Sequence, residues 1–153
     1  MANMNTERYY TVKEAAQISG LPGSTLRYYE RIGLIKPIGR DESSKYRKYT
    51  ENDINTIVAL ACLSATGFSL EDMRLYMHNF NKGSMAADEQ KQLLANQEQH
   101  LNSEIRNMEL RLKYVKEKQA FWDAVKRGDD DAVERSRKKT RLIADELDLP
   151  RPL

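Results

Sequence analysis

Apolar positions along this 153-residue chain change period several times, and each change marks an element. Val12, Ala15, Ala16 and Ile18 recur at helical spacing behind Thr11. Thr11 and Glu14 form a T-x-x-E capping box, which satisfies two free backbone N–H groups reciprocally. A helix over 11–19 follows, and Gly20 stops it. After a short break, 24–32 predicts a second helix with Leu26 and Tyr29 or Ile32 turned inward and Gly33 just past its end. The pattern then lapses. Pro37, Gly39 and the polar run 40–44 mark a loop, flanked by Ile35 and 46–49 as two short strands of a small β-wing. Thr50 caps a third helix, with Asp53 three residues on. Its apolar side carries Ile54, Ile57, Val58, Ala61 and Leu63, and Gly67 ends it. Ser69 caps a fourth helix, with Asp72 three residues on, carrying Leu70, Met73, Tyr76 and Met77. Residues 79–84 read as a linker.

From 85 to 127 the chain carries no proline, and no glycine interrupts it. Leu94, Leu101, Met108, Val115 and Trp122 repeat every seven residues, and Ile105 and Leu112 fall four after Leu101 and Met108. This is a heptad pattern, with Glu98 and Gln119 as polar exceptions in the seam. About 40 helical residues span roughly 60 Å. One chain cannot bury such a stripe, whereas a second copy can, as a parallel or antiparallel pair. Gly128 ends the long helix. Asp131 and Glu134 are expected to cap a last one with Val133, Thr140, Ile143 and Leu147 on one side, and Pro150 and Pro152 terminate it. The expected fold is mainly α: a winged helix-turn-helix head (1–80), a linker (81–84), a coiled-coil dimerisation helix (85–127) and a short C-terminal helix with its tail (128–153).

Composition narrows the function. The longest apolar run, 57–63, is seven residues, against about 20 for a bilayer span, so no membrane partner is expected. The N-terminal stretch has no apolar core of a secretory signal, which points to a cytoplasmic, reducing compartment. One cysteine, Cys62, allows no intrachain disulfide and no multi-thiolate zinc site, and no metal or cofactor is expected. Cys62, His78 and His100 are separated in sequence, and no glycine-rich phosphate loop or HExxH appears, which argues against an enzyme.

The net charge of +2 is uninformative until it is divided. Residues 1–50 carry +4, residues 51–80 carry −3 and the remainder +1. Six of the eight tyrosines also lie in the first 50 residues. Arg27-Tyr28-Tyr29-Glu30-Arg31 and Lys45-Tyr46-Arg47-Lys48-Tyr49 interleave cations with phenols. Arginine bonds phosphates and guanine edges bidentately. A helix-turn-helix whose second helix bears such a face fits a major groove, and a basic wing fits the flanking backbone.

The run TVKEAAQISGLPGSTLRYYERIGLIKP, then YRKYTENDI and GFSLEDM, strongly resembles the MerR family of bacterial transcription regulators over about residues 9–80. The resemblance implies a homodimer joined by an antiparallel coiled coil. It implies binding to a palindromic promoter, whose DNA is bent and untwisted so that RNA polymerase is reached through the DNA. It assigns DNA contacts to Thr25, Arg27, Tyr28 and Tyr29 of the second helix and to Arg40, Tyr46, Arg47 and Tyr49 of the wing. Lys13, Ser24 and Lys45 are counted with them. Two departures are visible: Lys45 where the family often has glycine, and Pro22-Gly23 where Ser-Pro is common.

The region after the long helix lacks the cysteines of the family's metal sensors, and only about 25 residues follow that helix. Cys62 occupies a position similar to that of the sensor in the branch that responds to aldehyde and thiol stress. The competing reading makes Cys62 a small buried hydrophobe. A second option is a small organic ligand held by Tyr76, Met77, Phe80, Tyr114, Phe121 and Trp122, which are equally core candidates. A coiled-coil adaptor with a basic head is the alternative of another class. It explains the heptads but not the order of helix, turn, basic helix and wing.

Overall fold

The computed structural model describes residues 7–148, which contain six α-helices and no strand. The chain divides into two compact units after Gln97. Met1–Thr6 and the expected terminators Pro150 and Pro152 lie outside the described residues.

In the first unit, α1 (Val12–Ser19) and α2 (Gly23–Arg31) form the helix-turn-helix. The Thr11–Glu14 capping box is present, with Thr11 N donating to Glu14 Oε2 at 2.8 Å and Glu14 N to Thr11 Oγ1 at 3.1 Å. Gly20, at φ 73°, ends α1 in a left-handed conformation that costs glycine little. The second capping box, Thr50 with Asp53, opens α3 (Glu51–Ala65), and Ser69 caps α4 (Leu70–Phe80).

The core of this unit joins Ala15, Leu26, Tyr29, Ile57, Leu60 and Met73 with the post-α2 residues Leu34, Ile35 and Ile38. Leu60, fully buried, was not among the expected apolar positions of α3, and Leu70 is exposed at the first turn of α4. The two predicted wing strands are absent. Ile35 is a core side chain, and the wing is held instead by single β-bridges, Arg40 with Arg47 and Tyr10 with Tyr49. Pro37 carries no N–H, so pairing cannot extend back toward Ile35 through it.

The expected linker is structured. Asn79 is buried at the end of α4, where its Nδ2 donates to Glu89 Oε2 at 2.8 Å and its Oδ1 accepts from Lys82 Nζ at 3.1 Å. A single 3₁₀ turn, Gly83–Ala86, leads into α5 (Ala87–Arg127). The first turns of α5 belong to the first unit. Gln90 Nε2 donates to the Tyr76 carbonyl and Gln97 Nε2 to the Thr66 carbonyl, which ties them to α4 and to the end of α3.

In the second unit, α6 (Asp130–Glu146) packs against the end of α5 after a turn at Gly128. The cap is Asp129, whose carboxylate accepts from Ala132 N at 3.0 Å, rather than Asp131. The turn tightens earlier than the charge pattern suggests, because Asp129 N already bonds back to Ala124. Small buried residues, Ala124, Ser136 and Ala144, allow the helices to approach, and Ser136 Oγ donates to the Glu117 carbonyl at 3.0 Å.

Candidate nucleic-acid interface

Helix α2 splits its residues by face. Leu26 and Tyr29 enter the core, while Ser24, Arg27, Tyr28 and Arg31 are exposed. Those four stand at i, i+3, i+4 and i+7, which places them on one stripe. The Arg31 guanidinium lies over the Tyr28 ring, 5.4 Å from its centroid, which fixes a phenol and a cation side by side. Thr25 is half-buried at the edge of the stripe. Lys13 is exposed on α1 beside Val12, whose Cγ2 would lie 3.4 Å from a Cβ placed on Gly23 at the start of α2.

The end of α2 is secured from outside. Gly33 adopts φ 72°, Leu34 N returns to the Tyr29 carbonyl at 2.9 Å, and Arg74 Nη1 donates to the Ile32 carbonyl at 3.0 Å.

The wing is tethered to α2 by an ion pair. Arg47 Nε donates to Glu30 Oε2 at 2.9 Å, with both side chains more than three-quarters buried. At the tip, Arg40 Nη1 donates to the Lys45 carbonyl at 3.0 Å, Asp41 N to the Tyr46 carbonyl at 2.9 Å, and Lys45 N to the Asp41 carbonyl at 2.9 Å. Tyr46 projects with 78% of its surface exposed, beside exposed Lys45 and Arg40. The backbone N–H of Ser44, aided by both serine hydroxyls and Ser43 N, holds the Asp41 carboxyl well below the usual carboxylate range.

Two of the expected contacts are corrected. Tyr49 is wholly buried and Tyr29 nearly so, and both rings are core. Tyr49 is drawn inward because its backbone pairs with Tyr10 in both directions, at 2.9 and 2.8 Å. Its hydroxyl has no hydrogen-bond partner among the described residues, and burial pushes the phenol above its usual pKa, with the positive charge of Arg47 opposing. A buried unpaired hydroxyl costs free energy that its removal recovers. Tyr49→Phe is therefore expected to leave the melting temperature unchanged or higher, and DNA affinity within about twofold. A tenfold loss of affinity with an unchanged melting curve would restore Tyr49 as a contact.

Arg31 and Lys48, which stand in the two basic-aromatic strings, were assigned no contact, and Arg8 was not singled out. Arg31 was legible from its seven-residue spacing to Ser24. The other two depend on the Tyr10–Tyr49 bridge. That bridge brings the N-terminal segment alongside the wing, so that Lys48 Nζ lies 4.5 Å from the Tyr9 ring centroid, and Arg8 sits 4.7 Å from that of Tyr10.

Cys62 lies on α3 and is exposed, which overturns the buried-hydrophobe reading for the single chain. The aromatic candidates for a ligand fall into separate units. Tyr76 packs edge-on against Phe68, and Met77 and Phe80 border a cleft with Leu34 and Thr56. In the second unit, Tyr114 and Trp122 flank a shallow cleft beside Lys118, and Phe121 meets Trp122 edge-on. Among the described residues no cluster of His, Cys, Asp and Glu is arranged to hold a metal, and no helix is long and apolar enough to cross a membrane.

Residues 10–79 match the model of the MerR HTH family of regulatory proteins. An HTH-type transcriptional regulator of Haemophilus influenzae is 32% identical over 117 residues, 76% of this chain and 86% of that protein. This chain belongs to the MerR family. The HTH-type transcriptional regulator AdhR of Bacillus subtilis is 38% identical over 90 residues, 59% of this chain and 64% of AdhR. Among solved structures, HiNmlR, a MerR family regulator lacking the sensor domain and bound to promoter DNA, superposes with a TM-score of 0.64 at 31% identity. It covers 82% of this chain and 96% of its own. A MerR family protein of Listeria monocytogenes gives 0.62 at 34% identity, covering 82% and 98%. The MerR-family chain is a DNA-binding transcription regulator and not an enzyme.

Proposed function

We propose that this MerR-family protein is a cytoplasmic homodimer that binds a two-fold promoter site, with α2 in the major groove and the wing on the adjacent backbone, and controls transcription by distorting that DNA. The observation that carries the reading is the exposed stripe Ser24, Arg27, Tyr28 and Arg31, braced to a basic wing by Arg47 and Glu30. Thr25 flanks the stripe, Lys13 extends it from α1, and Arg40, Lys45 and Tyr46 supply the wing contacts. Arg47 both braces and, through its free Nη groups, reaches phosphate. HiNmlR, similar along most of its length, is bound to promoter DNA.

Two heads require a dimer, and α5 presents the surface for one. Leu94, Leu101, Ile105, Met108, Leu112, Val115 and Trp122 are exposed in the single chain at heptad spacing. RNA polymerase is then engaged through the bent and untwisted promoter, a deformation that costs several kcal/mol by elastic estimates. The test is selection of duplexes from a randomised pool, followed by footprinting. Two protected half-sites related by a dyad, with binding that weakens steeply with salt, are the expected result. Equal affinity for random duplexes would favour the adaptor reading.

The effector reading rests on Cys62. The exposed thiol of Cys62 adds, through its sulfur, to the electrophilic carbon of an aldehyde or quinone: a C–S bond forms, the C=O or conjugated C=C π bond breaks, and the thiol proton passes to the electrophile's oxygen. Induction of a promoter reporter by an aldehyde is expected in the wild type and lost in Cys62→Ser. Identical induction in both would remove Cys62 from the mechanism.

A further inference from the structure

The wing tip contains a contradiction. A surface that meets phosphates gains from positive charge, yet its turn is built around a carboxylate. Asp41 Oδ1 accepts from Ser43 N at 3.0 Å, Ser43 Oγ at 2.7 Å, Ser44 N at 2.8 Å and Ser44 Oγ at 3.1 Å. The next residue, Lys45, sits at φ 63°, in the left-handed region that a side chain with a Cβ resists. Its conformation is closed by Lys45 N on the Asp41 carbonyl and by Arg40 Nη1 on the Lys45 carbonyl. Tyr46 N adds a bond to Ser44 Oγ at 3.3 Å. The side chains of Lys45 and Tyr46 leave this turn exposed.

We propose that Asp41 is a positioning residue for DNA binding: its carboxylate oxygen holds the 43–45 turn in the left-handed shape that aims Lys45 and Tyr46 at the phosphate backbone. The proposal rests on the wing reading above. The serine donors satisfy the carboxylate and blunt its repulsion of DNA, so the geometric gain exceeds the electrostatic cost. Without the acceptor, Lys45 relaxes to negative φ and its ammonium leaves the phosphate.

The two contributions of Asp41 predict opposite results. If Asp41 acted only as a charge, Asp41→Ala would tighten binding by removing a negative group. As a positioning residue, Asp41→Ala weakens it. The experiment titrates full-length protein against a duplex selected by the wild type from a randomised pool, at several salt concentrations, with thermal unfolding recorded alongside. Asp41→Ala is expected to bind about tenfold more weakly, with the salt slope reduced by about one for each half-site as each wing loses one phosphate contact, and with no change in melting temperature. Asp41→Asn keeps the accepting oxygen without the charge and is expected to bind within about twofold of wild type or tighter, with the full slope.

Lys45→Ala and Tyr46→Ala separate this proposal from the reading beneath it. If they weaken binding while Asp41→Ala is neutral or tighter, the wing contacts DNA and Asp41 does not position it. If Asp41→Asn is as weak as Asp41→Ala, the accepting oxygen is not what matters, and the proposal fails. If none of the wing variants changes affinity, the wing reading falls first.

Discussion

Replacing Ile105 and Leu112 together by Asp is expected to convert the proposed dimer to monomer. In the single chain these side chains are 56% and 53% exposed, so the substitutions leave the fold of each unit untouched. In a pair, each half-exposed apolar side chain brought out of water contributes on the order of 1 kcal/mol. The double variant removes that gain at four positions of the dimer and requires four carboxylates to enter an apolar seam. Each carries a desolvation cost of several kcal/mol unless it takes up a proton or the seam opens. The dissociation constant should rise by at least about 1000-fold. Sedimentation equilibrium checks this directly, with the monomer mass expected at micromolar concentration. An intact dimer would place the interface elsewhere on α5 or on the head. The DNA consequence is a second check. A monomer offers one head to a two-fold site, so protection of both half-sites should disappear at concentrations that saturate the wild type.

The elements were legible where the signal is local. Both capping boxes, Thr11 with Glu14 and Thr50 with Asp53, formed as read, because each needs only four consecutive residues. The seven-residue repeat of α5 was legible for the same reason, as was the aromatic-basic face of α2. What escaped depends on partners distant in sequence. Tyr49 and Tyr46 look alike in the string YRKY, yet the backbone pairing with Tyr10 buries the first, and the tip turn exposes the second. Arg47 carries the charge of a phosphate contact, but Glu30, 17 residues earlier, decides that its Nε braces the wing. Asn79 read as linker because it is polar; its Nδ2 is satisfied by Glu89, which arrives only when α5 follows the 3₁₀ turn, while Lys82 adds a local bond to its Oδ1. Asp41 drew no notice as one of two adjacent acids, with Glu42, in the loop. Its role depends on the donors that Ser43 and Ser44 direct at one oxygen and on the left-handed Lys45 beside it.

Arg27→Ala carries the largest effect expected of a single substitution in the head. Arg27 shares the outer stripe of α2 with Arg31, but Arg31 is partly committed to the Tyr28 ring, whereas no ion pair is formed by Arg27 among the described residues. Its guanidinium is thus free to meet a base edge or a phosphate, and the helix places it one turn in from Gly23, where a recognition helix reads bases. Loss of such a contact costs about 1–3 kcal/mol, or roughly 5- to 150-fold in affinity per half-site, and a symmetric dimer loses it twice. Two outcomes distinguish its role. A base contact relaxes sequence preference at one position of each half-site while the salt slope stays near the wild-type value. A phosphate contact weakens all duplexes alike and lowers the slope by about one for each half-site. Arg27→Lys sharpens the distinction, since lysine retains the charge but not the bidentate fork: it should rescue a phosphate contact and leave a base contact impaired. Titrating both variants against the selected duplex and a randomised one, at several salt concentrations, assigns the residue. Wild-type affinity for both duplexes in Arg27→Ala would mean that α2 does not face the groove. The exposed Arg-Tyr stripe would then be a solvated helix surface, and the wing, with Arg40, Lys45 and Tyr46, would have to carry binding alone.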